Sequence, residues 1–364
     1  MTNKLVVENL KHRPLRTLLI IGLISIQVTM VLTLVGLSNG ILEDQARRAR
    51  SVGADIMVRA PSSSVIAFSA NMPANIMAAV ERQPHVVAVT GVLTQGTGGF
   101  SYVTGIDLPQ FNKLSGGFHF LEGGPFQHPD DVMVDSYYAT EHKLHVGDHL
   151  QTLNRSWRVS GIYEAGTLTR IVVPLDVLQD LTANNGKITM IYAKLDDPSR
   201  TNEVIESLRR TKLKDYQIYS MEEYTSLFSI ANVPMLKEFI WVVIGLGVLV
   251  GFLVVFLSMY TAVLERTREI GVLKALGASP GYVLNILLRE TTLLAVAGSV
   301  LGILLSYVTR FAISSLVPGT LIQAIVPQWW PIAAGIALAG ALLGAIYPGL
   351  KAARQDAVEA LSYE

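Results

Sequence analysis

Hydrophobic positions fall into two textures along the chain. Four stretches carry no Asp, Glu, Lys or Arg: Thr17 to Leu42, Phe239 to Leu264, Thr291 to Thr309, and Phe311 to Leu350. A hydrocarbon core needs roughly 20 apolar residues of helix, so the first three each predict one membrane span. The fourth is broken by Pro318-Gly319, Pro327 and Pro331, which predicts a helix only from near Trp330 to near Pro348. Trp329, Trp330 and Tyr347 then sit at the two interfaces, where amphipathic rings are favoured. The predicted order is a short amphipathic segment (1–16), a span (17–42), a large polar-textured domain with stalks (43–238), a span (239–264), a connection (265–290), a span (291–309), a connection (310–329), a span (330–350) and a tail (351–364).

Between Val52 and Leu195 short apolar runs alternate with turn signals, the texture of strands with a few helices. Ile56 to Arg59, Val86 to Val92, Tyr102 to Ile106, Trp157 to Tyr163, Ile171 to Pro174 and Ile188 to Ala193 are predicted strands. Asn75 to Arg82, Ser136 to Lys143, Asp176 to Leu181 and Arg200 to Arg210 are predicted helices. Ser220 followed by Glu223 forms a capping-box pattern that opens a further helix at Met221, and Glu43 to Val52 extends the first span outward. The predicted fold class is a membrane α-helical protein of four transmembrane helices, with an extracytoplasmic α+β domain inserted between the first and second.

Composition agrees with a chain partly in lipid: 364 residues, 50% hydrophobic, 16% charged, mean hydropathy +0.40. Lys+Arg and Asp+Glu balance at 29 each, which leaves no global basic field for a nucleic-acid partner. Zero cysteines exclude disulfides, thiolate metal sites and thiol nucleophiles. Lys4, Lys11, Arg13 and Arg16 precede the first span, Arg266, Arg268, Lys274 and Arg289 lie between the second and third, and Lys351 and Arg354 follow the fourth. Only Arg310 lies in the other short connection, so the positive-inside rule expects both termini and the 265–290 connection in the cytoplasm. A cleaved signal peptide is the competing reading of the first span. Its apolar run exceeds the roughly 7–15 residues of a signal core, and no small-residue cleavage site closes it.

Gly247 and Gly251, Gly298 and Gly302, and Gly340 and Gly344 recur at four-residue spacing, as close packing between membrane helices requires. Ser25, Gln27 and Thr29 in the first span either line a lateral cleft or hydrogen-bond to a neighbouring helix. His142, His145 and His149 have metal-like spacing, but Val146-Gly147-Asp148 reads as a turn that removes His149 from the helix. Gly96-Thr-Gly-Gly99 and Gly116-Gly117 read as loops, because no Gly-x-Gly-x-x-Gly opens a helix there. The only Gly-Lys pair, Gly186-Lys187, lacks both the first glycine and the hydroxyl of a phosphate-binding loop. No catalytic elbow or zinc-protease motif appears, and no cofactor or metal is expected in this chain.

The most specific segment is Glu265-Arg-Thr-Arg-Glu-Ile-Gly-Val-Leu-Lys-Ala-Leu-Gly-Ala-Ser279. Ile270, Leu273 and Leu276 at helical spacing, beside Glu265, Arg266, Arg268, Glu269 and Lys274, predict a short amphipathic helix along the membrane surface. Gly277 can end it and Ser279-Pro280 can open the next. Asn3 to Arg13 reads equally as a second such helix or as a basic tail that sets topology.

That string, directly after the span that follows a large outer domain, closely resembles the coupling-helix signature of the MacB/FtsX-type ABC transporter permeases. Asp131-Val-Met-Val-Asp-Ser136, Leu144-His-Val-Gly-Asp-His-Leu150, Trp157 to Tyr163 and Val172-Val-Pro-Leu175 resemble that family's periplasmic core domain. Tyr347-Pro-Gly-Leu-Lys-Ala-Ala-Arg-Gln-Asp-Ala-Val-Glu-Ala-Leu361 resembles its carboxy-terminal signature, with Ala357 where the family usually has proline. The layout resembles the short DevC-like and HrtB-like members. The resemblance implies a non-catalytic subunit of the bacterial cytoplasmic (inner) membrane, working with a second copy of itself, membrane lipid and a separate cytoplasmic ATPase that holds ATP and magnesium. It implies an ATPase-docking loop with Glu265, Arg266, Arg268, Glu269 and Lys274 as polar contacts and Ile270, Gly271, Leu273 and Gly277 as its packed face. Export of a hydrophobic or amphiphilic substrate by mechanotransmission through the outer domain is the implied function, with a membrane-fusion adaptor as a further partner. Activation of an outer protein such as a cell-wall hydrolase, as in FtsX-like signalling, is the alternative.

Overall fold

The computed structural model describes residues 13–61, 63, 70–98, 101–211, 213–316 and 321–355. The amino-terminal segment through His12, Gly99, Pro318-Gly319 and the tail from Asp356, Ala357 included, lie outside the described residues. The chain divides into two compact units. One comprises residues 40–233 with 316–322, and the other comprises the three remaining stretches.

In chain order, helix α1 (Pro14–Arg50) leads into β1 (Ile56–Arg59), β2 (Met72–Pro73), α2 (Met77–Glu81), β3 (Val86–Gly98) and β4 (Ser101–Ile106). Then come α3 (Leu108–Ser115), β5 (Phe120–Gly123), β6 (Asp131–Asp135), α4 (Ser136–His142), β7 (His149–Thr152), β8 (Arg155–Tyr163) and β9 (Ile171–Pro174). The outer domain closes with α5 (Leu175–Leu181), β10 (Lys187–Ile188), β11 (Met190–Leu195), α6 (Thr201–Arg209), β12 (Gln217–Ser220) and α7 (Met221–Ser226). Helices α8 (Pro234–Glu265), α9 (Thr267–Ala275), α10 (Pro280–Leu316) and α11 (Trp329–Arg354) complete the chain.

The α+β unit is built on one mixed sheet in the order β12-β1-β11-β3-β4-β9-β6-β8-β5, with β7 added to β8. β4–β9 and β6–β8 are parallel and the other pairs antiparallel. β1 and β6 are buried along their whole length because both faces of the sheet are covered. Along β1, Ile56 and Val58 join a core with Val204, Ile205 and Leu208 of α6, whereas Met57 faces a second core with Phe111 and Tyr163. β9 divides the same way, with Ile171 and Val173 packed on Leu178 of α5 and Val172 turned to the other side.

Local chemistry sets most helix ends. Asp107 caps α3 by accepting from Gln110 N at 3.0 Å, and Gly116, at φ +84°, ends it. Ser220 Oγ accepts from Glu223 N at 3.0 Å and opens α7. That helix stops at Ser226, and α8 opens at Pro234. The Ile188-to-Ala193 run is divided at Thr189, whose N–H donates to Val92 O at 2.8 Å while β10 turns aside to pair with β2. Gly96 to Gly98, expected in a loop, continues β3 into a hairpin with β4, Gly96 opposite Tyr102 and Gly98 opposite Ser101.

Four helices, Pro14–Arg50, Met235–Glu265 within α8, Pro280–Leu316 and Trp329–Arg354, are long and apolar enough to cross a membrane. α11 departs from expectation by running through Pro348 to Arg354. Proline removes one helical hydrogen bond, yet Pro348, Gly349, Ala352 and Ala353 are all buried by neighbouring helices, which hold the last turns in register.

Candidate functional site

The α8–α9–α10 junction is a sequence of local stop and start signals. α8 ends at Glu265, and Arg266, with φ −108° and ψ 15°, leaves helical geometry before α9 begins. After α9, Gly277 takes φ +94°, Gly277 N donates to Lys274 O and Ala278 N to Leu273 O, both at 3.0 Å. These two bonds are a Schellman closure, which needs glycine at the left-handed position. Ser279 Oγ then accepts from Tyr282 N at 3.3 Å, and Pro280 starts α10 where its missing N–H costs nothing.

α9 is fastened on one side and open on the other. Thr267, Ile270 and Gly271 are buried, and Lys274 Nζ donates to Ala353 O at 2.9 Å and also to Gln355 O at the end of α11. Arg268, Glu269, Val272, Ala275, Leu276 and Gly277 are exposed, Leu276 at 81%. Beneath α9 lies a charge cluster. Glu290 of α10 is 1% exposed, 3.6 Å from Arg16 of α1 and 3.4 Å from Arg266, while Glu265 pairs with Arg13 and lies 3.8 Å from Arg16.

The expected docking set is therefore divided. Arg268 and Glu269 face outward, Glu265 is partly exposed on Arg13, and Gly277 marks the outer turn. Arg266, expected as a polar surface contact, is 9% exposed and turned onto Glu290. Ile270 and Gly271 pack inward, and Leu273 and Lys274 are half-buried. Val272 and Leu276, outside the expected set, supply the exposed apolar surface. Glu290 was also overlooked, although it falls on the buried stripe Val283, Ile286, Leu287, Glu290, Leu294, whose helical spacing is visible in the sequence.

The paired glycines lie where helices approach. A Cβ on Gly298 would meet Ile24 Cβ at 2.7 Å, one on Gly302 would meet Ser25 O at 2.7 Å, and one on Gly344 would meet Phe252 O at 2.6 Å. Gly251 and Gly247 lie over the Gln27 side chain, and Gly340 leaves 3.5 Å to Val248 O. Ser25 bonds to Gly22 O, and Thr29 Oγ1 lies 2.7 Å from Ser25 O and 3.0 Å from Gly302 O, so these hydroxyls serve helix contacts.

In the α+β unit, the last turns of α1 are anchored by Arg48. Its Nε donates to Asp44 at 2.8 Å and its Nη2 to Asp135 at 2.9 Å, while Asp135 also caps α4 through Tyr138 N at 2.7 Å. Burial, reinforced by the nearby Asp135 carboxylate, pushes the Tyr163 hydroxyl well above its ordinary pKa. Burial and the repulsion of Arg48 lower that of Arg170. Among the described residues no cluster of three or more His, Asp or Glu is arranged to hold a metal. His142 instead stacks on Tyr138 at 4.0 Å.

Residues 17–211, more than half of the chain, match the family model described as the MacB-like periplasmic core domain, and residues 241–357 match that of the FtsX-like permease C-terminal domain. The chain belongs to the MacB/FtsX-like ABC transporter permease family. The Arg48–Asp135 anchor of this MacB/FtsX-like permease lies within the first match, and the Arg266–Glu290 junction within the second. The chain is 34% identical to the ABC transporter permease YknZ of Bacillus subtilis over 158 residues, 41% of this chain and 37% of YknZ. It is 26% identical to the ABC transporter permease MJ1507 of Methanocaldococcus jannaschii over 194 residues, 50% of this chain and 48% of that one. With the macrolide export ATP-binding/permease protein MacB of Escherichia coli it shares 25% identity over 388 aligned positions, 97% of this chain and 59% of MacB. The chain thus spans less than two thirds of the length of these relatives. Among solved structures, the periplasmic region of MacB from Actinobacillus actinomycetemcomitans aligns with 48% of this chain and 92% of its own, at 17% identity and a TM-score of 0.37. The extracellular domain of YknZ aligns with 46% of this chain and 99% of its own, at 13% identity and a TM-score of 0.36.

Proposed function

We propose that this permease couples ATP hydrolysis by a separate cytoplasmic ATPase to movement of its outer domain, and so exports a hydrophobic or amphiphilic substrate. The observation that carries this reading is the two-sided character of α9. Its outward strip, Arg268, Glu269, Val272 and Leu276, joins charge to exposed apolar surface, while Lys274 ties it to α11 and Arg266, just before its first turn, to Glu290 of α10. A partner seated on such a strip acts on α10 and α11 rather than on a slack loop. Closure of an ATPase dimer biases the permease only if docking favours one helix arrangement over another, and a fastened helix can express that difference.

The reading places both termini and α9 in the cytoplasm of a bacterium, with two copies of the chain around two ATPases. ATP and magnesium belong to the ATPase chain. An outer adaptor protein would receive the movement in an exporting assembly.

The test is ATP turnover by the cognate ATPase co-purified with the permease in lipid nanodiscs. Burying a leucine contributes about 1.5–3 kcal/mol, so Leu276→Asp is expected to weaken ATPase retention by about tenfold or more, with Arg268→Glu acting in the same direction. Undiminished retention by both variants would remove this docking face. Stimulation of turnover by amphiphiles supports export, and stimulation only by an outer protein would replace export with signalling.

A further inference from the structure

At the end of α10 remote from α9, an open cleft lies among Leu32, Ser306, Tyr307, Arg310, Gln323 and Trp330. The segment that carries Gln323 seats closely on α1 because residue 36 is glycine. Ala324 N donates to Gly36 O at 2.9 Å, and a Cβ there would meet Ala324 O at 2.7 Å. Close seating of this short segment on α1 buries Gln323 to 7% exposure and leaves its Oε1 without a hydrogen-bond partner. Across the cleft, Arg310 makes no hydrogen bond or ion pair among the described residues. Tyr307 and Trp330 pack edge to face at 6.3 Å beside it, an aromatic pair of the kind that sits at headgroup level. Leu304, Val308 and Phe311 run exposed along the same helix.

The geometry points to a binding site for a glycerophospholipid whose headgroup carries a hydrogen-bond donor, such as ethanolamine or glycerol. Arg310 pairs with the phosphate in a charge-assisted contact, and its planar fork suits that geometry. The ammonium or hydroxyl of the headgroup satisfies Gln323 Oε1, a buried acceptor that is costly to leave unmade. An acyl chain follows Leu304, Val308 and Phe311. This site requires no ATPase, so its test is separate from that of the docking face.

The experiment is native mass spectrometry of the full chain released from detergent and titrated with phosphatidylethanolamine, phosphatidylglycerol, phosphatidylcholine or diacylglycerol, with inorganic phosphate as competitor. Ethanolamine and glycerol lipids are expected to bind about tenfold more tightly than diacylglycerol, the equivalent of one charge-assisted contact, and more tightly than the choline lipid. Arg310→Gln should abolish the preference over diacylglycerol and Arg310→Lys should retain part of it. Gln323→Met, which keeps the volume, should abolish only the preference over choline. Equal binding of all four lipids, or unchanged preferences in both Arg310→Gln and Gln323→Met, would overturn the proposal. Displacement of lipid by millimolar inorganic phosphate would reduce the site to a phosphate site and overturn its lipid assignment.

Discussion

Arg266 and Glu290 meet beneath α9, guanidinium Nη1 3.4 Å from a carboxylate that is 1% exposed, with Arg16 at 3.6 Å from its other oxygen. One buried carboxylate thus joins the start of α1, the break between α8 and α9, and the third turn of α10. The two guanidinium groups stand in for the water that burial takes from this carboxylate.

Removing that anion strands two arginines. Glu290→Ala is expected to destabilise the helical unit by about 3–5 kcal/mol. The double variant Arg266→Ala/Glu290→Ala should recover part of the loss, giving a coupling energy of at least about 0.5 kcal/mol in a double-mutant cycle followed by thermal unfolding. Strict additivity would mean that the pair is screened and does not hold the junction.

Arg48 and Asp135 fasten the last turns of α1 to β6 and α4, with Asp135 fully buried. Arg48→Ala should leave that carboxylate unpaired, at a cost of about 3–5 kcal/mol. Hydrogen exchange should then speed in the last turns of α1 and in α4 before the rest of the sheet. Unchanged protection of α4 would show that the cap from Tyr138 N suffices without the arginine.

Helix packing predicts a sharp contrast among glycines. Gly302→Val and Gly344→Val force a side chain into backbone at 2.7 and 2.6 Å, and overpacking of this kind costs typically about 1–3 kcal/mol. Gly22→Ala and Gly335→Ala, where a Cβ meets nothing within 4 Å, should leave the melting temperature unchanged. Equal effects from the two sets would contradict the packing described.

Asp131 supplies a pH dependence. Burial by itself would raise its pKa, but the N–H groups of Gln127 and His128 at 2.9 and 3.0 Å and the guanidinium of Arg158 outweigh burial and hold it below the ordinary value. The unfolded chain therefore binds this proton more readily than the folded one. The contribution of Asp131 to stability is complete above the unfolded value of about 3.9 and is lost as pH falls through the lower folded value. Acid unfolding of Asp131→Asn should show a shallower pH dependence in this range than the unsubstituted protein. Identical slopes would assign the acid sensitivity elsewhere.

Much of the scaffold was legible because its signals are local. Apolar length marks a membrane helix, short apolar runs between turn signals such as Ile171 to Pro174 mark strands, and Ser220, Gly277 and Ser279-Pro280 mark helix ends. Helix α3 carried the same kind of signal, with Asp107 at its cap and Pro109 in its first turn, and was passed over. The short strands β5, β7 and β12 carry too few apolar residues to stand out, since their stability comes from neighbours in the sheet.

The sequence by itself determined four lipid-length helices, an α+β domain between the first two, and a short helix between the second and third, because each depends on residues close in the chain. Only the tertiary structure decided that α11 continues through Pro348, that Thr189 breaks a strand, and that Arg266 points inward while Val272 and Leu276 point out. Those outcomes turn on which distant group lies opposite: a carboxylate 24 residues away, a strand partner at Val92, or helices that bury a proline. Chain spacing alone does not encode such pairings, since the free energy that selects them arises only when the elements pack.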